Sequence, residues 1–293
     1  MREMSMKFTC KTVVESDSYM QIKYNGEILD LRRFAEKYAD KSNEFYLDTL
    51  LKECIIIYKG TEMTFTEMCL RITKFADSLP ISLHYQHLYS NEHIVFTVDR
   101  DYYAALKMLE SVEKNLMLGR KYLLNAYSLI DYNVNLHWDA GYAGVFNFRC
   151  IAATTAIMWL STVFDTMLQM VLWGYGIYKV HPDYIPGMDF HKTLKLCDYD
   201  FMSDYYGKNK AVPNFKKLWG ILTKAYNATS DIRYWTNFIK HKGGIGFIGE
   251  TAPKPYIISV STSDGKESDK DYEKIMLDLD HTVSDLSDFY NRL

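Results

Sequence analysis

Residues 150–178 read CIAATTAIMWLSTVFDTMLQMVLWGYGIY, a stretch in which Asp165 is the single charged residue. Its length and apolarity predict a helix over 148–177, and the fold follows from where that helix is buried. A carboxylate at bilayer depth is costly. The apolar run before Asp165 is too short to span a membrane, and no Lys or Arg cluster beside it sets an orientation. The stretch reads as a core helix buried on most sides and off the membrane. A buried Asp165 then needs a partner, because a lone carboxylate in an apolar interior neutralises or destabilises.

Working outward, Asp99 is an N-cap candidate for a long helix over 100–131. Leu106, Leu109, Val112, Leu116, Leu123, Leu124 and Tyr127 form its apolar stripe, and Lys107, Glu110, Glu113, Lys114, Arg120 and Lys121 its wet side. Two long neighbouring helices of this kind predict an antiparallel pair. Further helices are predicted over 31–39, over 45–58 with Gly60 as its stop, after Thr66 up to Pro80, over 189–204, over 215–242 with Gly243 and Gly244 as its stop, and over 271–289. Asn25-Gly26 reads as a tight turn in a small hairpin, and 256–262 as a strand. The fold class is all-α: a bundle of long helices with minor short strands or hairpins. Residues 1–98 form a helical extension, 99–250 the bundle, and 251–293 a C-terminal strand and helix packing on it.

Composition agrees with a folded chain. Among 293 residues, 48% are hydrophobic and 24% charged with a net charge of -3, which excludes disordered, collagen-like and basic tail-like classes. Cys10, Cys54, Cys69, Cys150 and Cys197 are scattered and never in a CxxC, so they read as buried thiols of a reducing compartment. The polar N-terminal stretch lacks a signal-peptide core, which predicts a cytoplasmic protein. Charge is uneven: residues 207–243 hold eight basic residues and one acidic, and residues 244–293 ten acids and five bases. The basic segment can bind phosphate or dock on the protein's own acidic tail.

One constellation carries chemistry. Residues 232–244 read IRYWTNFIKHKGG, with Ile232, Trp235 and Ile239 as the packing face. Arg233, Asn237 and His241 are spaced i, i+4 and i+8 and fall along one helical stripe. Histidine moves protons near neutral pH, arginine holds a phosphate by two parallel hydrogen bonds, and asparagine orients an imidazole. Together, Arg233, Asn237 and His241 are candidate catalytic residues for metal-independent RNA cleavage, with Lys216, Lys217, Lys224, Lys240 and Lys242 as candidate nucleic-acid contacts. The same residues have a structural reading. His241 favours the carbonyl end of its helix, Arg233 pairs with Asp231, Glu250 or the acidic tail, and Asn237 satisfies a local hydrogen bond.

Arg, then Asn, then Lys-His before Gly, at the end of the last long helix, resembles the HEPN superfamily, with the divergent stand-alone bacterial group as the nearest match. The resemblance covers about residues 100–250. It implies four or five helices, a homodimer formed through the late helices, and a role as a metal-independent ribonuclease or as an RNA-, nucleotide- or assembly-binding relative. The family's nucleases place a polar residue directly after the Arg and four to six residues between Arg and His. Here Tyr234 follows Arg233, and seven residues separate Arg233 from His241. The expectation is therefore RNA or nucleotide phosphate contact with weak or absent cleavage, without a cofactor. The alternatives are a non-enzymatic module for a protein partner and a small-molecule domain with a pocket at Asn135, His137, Asp139 and Asp165.

The remaining constellations are weaker. His181, Asp183, Asp189 and His191 have metal-ligand types at spacings of no standard site, so no metal is expected. His84, His87 and His93 are diluted by tyrosines. Asp278 and His281 read as a surface pair. Gly243 to Gly249 follows a helix and lacks a following Lys-Ser or Lys-Thr, unlike a phosphate loop.

Overall fold

A computed structural model describes residues 20–30, 33–34, 37, 41, 48, 52–81, 97–129, 142–210, 212, 214–241, 244–248 and 275–292. The chain divides into two units, one of residues 1–78, 124–153 and 238–283, the other of residues 79–123, 154–237 and 284–293.

The first unit holds a sheet that the helical expectation understated. Strands β1 (Met20–Tyr24), β2 (Glu27–Asp30), β3 (Ile55–Tyr58) and β4 (Thr61–Thr64) form an antiparallel sheet in the order β2-β1-β3-β4. The hairpin at Asn25-Gly26 is as expected: both residues have positive φ, 49° and 81°, and Tyr24 pairs with Glu27. The helix expected over 45–58 is corrected at its end, where Ile55-Ile-Ile-Tyr58 is a strand. Its β-branched run suits a pleated sheet, and Lys59-Gly60, at φ 47° and 76°, repeats the hairpin geometry instead of capping a helix. Ile22 pairs with Ile56 and Ile56 with Met63, so one buried ladder crosses three strands. Phe34, Cys54, Phe65, Met68 and Leu129 complete that core. Lys23 and Glu62 form an ion pair at 3.3 Å.

Helix α1 (Phe65–Asp77) starts two residues earlier than expected. Thr64, not Thr66, is the N-cap, and its hydroxyl accepts from the Glu67 amide at 3.1 Å while the Thr64 amide donates to the Glu67 carboxylate at 2.7 Å. Strands β5 (Ile245–Phe247) and β6 (Ile275–Leu277) make a parallel pair. The last helix is therefore shorter than the 271–289 expected.

The remaining elements are helices. Helix α2 (Arg100–Tyr127) begins beside Asp99, whose carboxylate accepts from the Asp101 amide at 2.8 Å, and it ends four residues before the expected limit. Helix α3 (Tyr142–Gly174) starts six residues earlier and stops three earlier than expected. Its stretch Phe146–Gly174 is long and apolar enough to cross a membrane, and 56% of its most apolar window is buried within the protein. Ile157, Leu160, Phe164, Leu168 and Val171 recur at helical spacing and are buried. Asp165 is not buried. It lies about 100° round the helix from Phe164, on the line of Thr162 and Gln169, and is exposed.

The crossover after a turn at Ile177–Val180 carries two helices where one was expected, α4 (Phe190–Leu194) and α5 (Tyr199–Lys208), started by Asp189 and Asp198 as N-caps. The single helix expected over 215–242 is also two: α6 (Phe215–Ala228) and α7 (Ser230–His241). Thr229 breaks it, because its hydroxyl bonds back to the Ala225 and Tyr226 carbonyls at 3.0 and 2.8 Å and ends the first ladder. Helix α8 (Leu279–Tyr290) closes the chain. The result is a helix-dominated fold with a small antiparallel sheet.

Candidate functional site

Helix α6 has no acidic residue, and Lys216, Lys217 and Lys224 are all exposed on it. Lys217 and Lys224 are seven residues apart, close to two helical turns, so they stand ~10 Å apart on one face. Four other lysines of the same unit are paired: Lys107 with Glu110 at 2.8 Å, Lys192 with Asp189 at 3.3 Å, Lys208 with Asp204 at 2.8 Å, and Lys179 with Asp101. Among the described residues, Lys216, Lys217 and Lys224 enter no ion pair. The basic face of α6 thus keeps its charge for solvent or a ligand.

Helix α7 does not present the three candidate residues equally. Asn237 and His241 are exposed, as is Lys240. Arg233 is half-buried and turned inward. Each i, i+4 step drifts by about 40°, so Arg233 lies about 80° round the helix from His241. That rotation carries it off the wet stripe, where Tyr234, 55% exposed, takes its place. The Arg233 guanidinium lies over the Tyr226 ring, 3.5 Å from its centre, and 5.8 Å from the centre of Phe164. The expected pairing with Asp231 is not seen: among the described residues Arg233 forms no ion pair, and its buried Nη1 has no hydrogen-bond partner.

Tyr226 is itself backed by a column of rings. Tyr199 stacks on it at 3.6 Å with planes 3° apart, Trp219 meets Tyr199 at 5.5 Å, and Tyr206 meets Trp219 at 5.4 Å. A desolvated cation–π contact stabilises by about 2 kcal/mol. A buried donor left unsatisfied costs about 1–3 kcal/mol. The two effects on Arg233 are of one size and opposite sign. The column is made by α5, α6 and α7 coming together, a pairing that no local spacing reports.

Lys242, Asn135, His137, Asp139, His84, His87 and His93 lie outside the described residues, as does the strand expected over 256–262. Gly244, at φ 99°, donates its amide to the Phe238 carbonyl at 3.1 Å and closes the end of α7. Among the described residues no group of three or more His, Cys, Asp or Glu is gathered to hold a metal. The His181 Nδ1 accepts from the Asp183 amide at 3.1 Å and its ring packs on Phe201 at 4.4 Å, while Asp189 caps α4. Asp278 accepts from the His281 backbone amide at 2.8 Å at the start of α8, a helix-cap bond.

The first unit contains a second polar cluster with no sequence signal. Arg149, nearly buried, donates Nε to the Ala126 carbonyl at 2.7 Å, Nη1 to the Tyr58 hydroxyl at 2.9 Å and Nη2 to Asp280 at 2.9 Å. Tyr58 donates to Asp280 at 3.0 Å, and Lys59 pairs with the same carboxylate. Burial pushes the Asp280 carboxyl up, but the Lys59 hydrogen bond and the Arg149 charge outweigh it and hold it below its ordinary range. Each of the three Arg149 nitrogens and the Tyr58 hydroxyl has a partner, which marks the cluster as a structural clasp.

No family model, curated protein or solved structure matches the chain.

Proposed function

We propose that this is a HEPN-like helical-bundle protein that contacts RNA or nucleotide phosphate, with weak or absent metal-independent cleavage. The carrying observation is the α6 face, where Lys216, Lys217 and Lys224 are exposed and unneutralised among the described residues. Asn237, Lys240 and His241 on α7 supply further polar and basic groups. Cleavage is weak in this reading because Arg233, the group suited to a developing phosphorane charge, is engaged with Tyr226. As part of the same proposal the protein is a cytoplasmic homodimer, off the membrane, that takes a protein partner through its exposed surface. The thiols of Cys54 and Cys197, both pushed up to about 12 chiefly by burial, stay protonated and fit a reducing compartment.

The test is the salt dependence of RNA binding. Wild type should bind a labelled single-stranded RNA with log Kd rising against log salt, and Lys217→Ala with Lys224→Ala should lower that slope by roughly 0.7 per lost contact. An unchanged slope and affinity in the double variant would remove α6 from the interface. Incubation of mixed small RNAs with and without EDTA, wild type against His241→Ala, measures any residual cleavage.

A further inference from the structure

We propose that Tyr226 holds Arg233 in a stored position, and that an oxyanion arriving at the α6–α7 surface draws the guanidinium out, so that Tyr226 sets how readily the protein binds phosphate. This inference rests on the phosphate-contact reading above. The stored position is visible in the 3.5 Å stack of the guanidinium on a ring that Tyr199 supports from its other face. Among the described residues, stacking alone holds Arg233 there: none of their carboxylates pairs with it, and its buried Nη1 finds no hydrogen-bond partner among them. Arg149 is the contrast: three of its nitrogens are committed to a carbonyl, a hydroxyl and a carboxylate, and such an arginine is locked.

The physical consequence for Arg233 is a side chain near balance. Cation–π attraction favours the inward position, and the orphaned donor opposes it by a similar amount. A phosphate offers parallel hydrogen bonds to a guanidinium and would satisfy the orphan on the way out. Arg233 adjoins exposed Tyr234 and lies one turn before exposed Asn237, so its long side chain needs only rotamer changes to reach the outer surface. The ligand then selects the outward state, and the measured affinity is reduced by the fraction of molecules in which Arg233 is stored.

The test uses the full chain, a fluorescein-labelled oligouridylate for affinity, and the nitrogen-15 signals of arginine side chains for position. Tyr226→Leu should tighten RNA binding by about three- to tenfold, because the outward state becomes dominant. Tyr226→Phe keeps the stacking face and should leave affinity as in wild type. The gain from Tyr226→Leu should vanish in an Arg233→Ala background. In wild type, the ring-shifted Arg233 signal, assigned by its loss in Arg233→Lys, should move to the ordinary arginine position as RNA saturates the protein. Should Tyr226→Leu fail to fold by circular dichroism, that wild-type titration decides. A signal that stays ring-shifted at saturation overturns the stored arginine while leaving the lysine-dependent contact intact. So does a Tyr226→Leu variant that folds and binds no tighter. Absence of RNA binding in wild type and variants alike overturns both readings.

Discussion

A Cβ placed on Gly119 would fall 2.5 Å from Cδ2 and 2.8 Å from Cγ of Leu160, which is fully buried. Glycine in α2 is therefore what lets this helix approach α3 at that point. Gly119→Ala gains about 1 kcal/mol in helix propensity but drives a methyl group into a filled space, which costs about 1–3 kcal/mol. The expected result is a net loss of stability in urea titration. Leu160→Ala, destabilising alone, should cost less when combined with Gly119→Ala, since the new methyl partly refills the void. Additive losses in the double variant would show that the two side chains do not share space.

The Arg149–Asp280 pair should be costly to break from either side. Arg149→Met removes a donor from both the Asp280 carboxylate and the Tyr58 hydroxyl, and Asp280→Asn leaves a buried guanidinium without its counter-charge. Removing one partner of such a pair costs about 3 kcal/mol. Because the folded carboxyl of Asp280 is held below its ordinary range, the stability it supplies is present at neutral pH and lost as pH falls through the carboxylate range toward that lowered value. Chemical denaturation of wild type and Asp280→Asn from pH 7 downward should converge; parallel curves would refute the linkage.

Tyr178 carries the opposite sign. Burial and its hydrogen bond to Asp101, at 2.7 Å, push its hydroxyl up to about 12. The folded state therefore keeps a proton that the unfolded chain releases near the ordinary tyrosine value. The stability due to Tyr178 is complete below that value and declines as pH rises from about 10 toward about 12. Tyr178→Phe should remove that share of the alkaline slope, read from denaturant midpoints across the range.

The α1 cap offers a smaller, separable effect. Thr64→Ala removes the hydroxyl that accepts from the Glu67 amide and should cost about 1 kcal/mol, with Thr64→Ser restoring most of it. Backbone and side-chain hydrogen bonds from Thr64 hold the exposed Glu67 carboxyl below its ordinary range, so its part in the box is present at neutral pH and fades on acidification. A Thr64→Ala variant as stable as wild type would mean that the sheet positions α1 without its cap.

Local signals in the chain were strongest where one residue's chemistry sets one backbone feature. Asn25-Gly26 announced its hairpin, Asp99 the start of α2, and the length and apolarity of 148–177 its helix. Other local signals were present but outweighed. The Ile55–Ile57 run was overruled by an apparent helical spacing over 45–58, and Thr229-Ser230-Asp231, a helix-start pattern, was hidden inside a long apolar periodicity. The candidate residues were legible as residue types and charge along 207–243. The orientation of Arg233 was not legible, because an 80° accumulated rotation separates a surface residue from one facing a neighbouring ring.

Sequence alone determined that this protein is dominated by helices and that residues 207–243 gather positive charge, since periodicity and composition are properties of the chain itself. Only the tertiary structure decided that Arg233 stacks on Tyr226 while Lys217 and Lys224 enter no ion pair among the described residues, and that Arg149 meets Asp280. Stacking, burial and pairing depend on which distant segments share a volume, and nothing in the local order of residues encodes that distance.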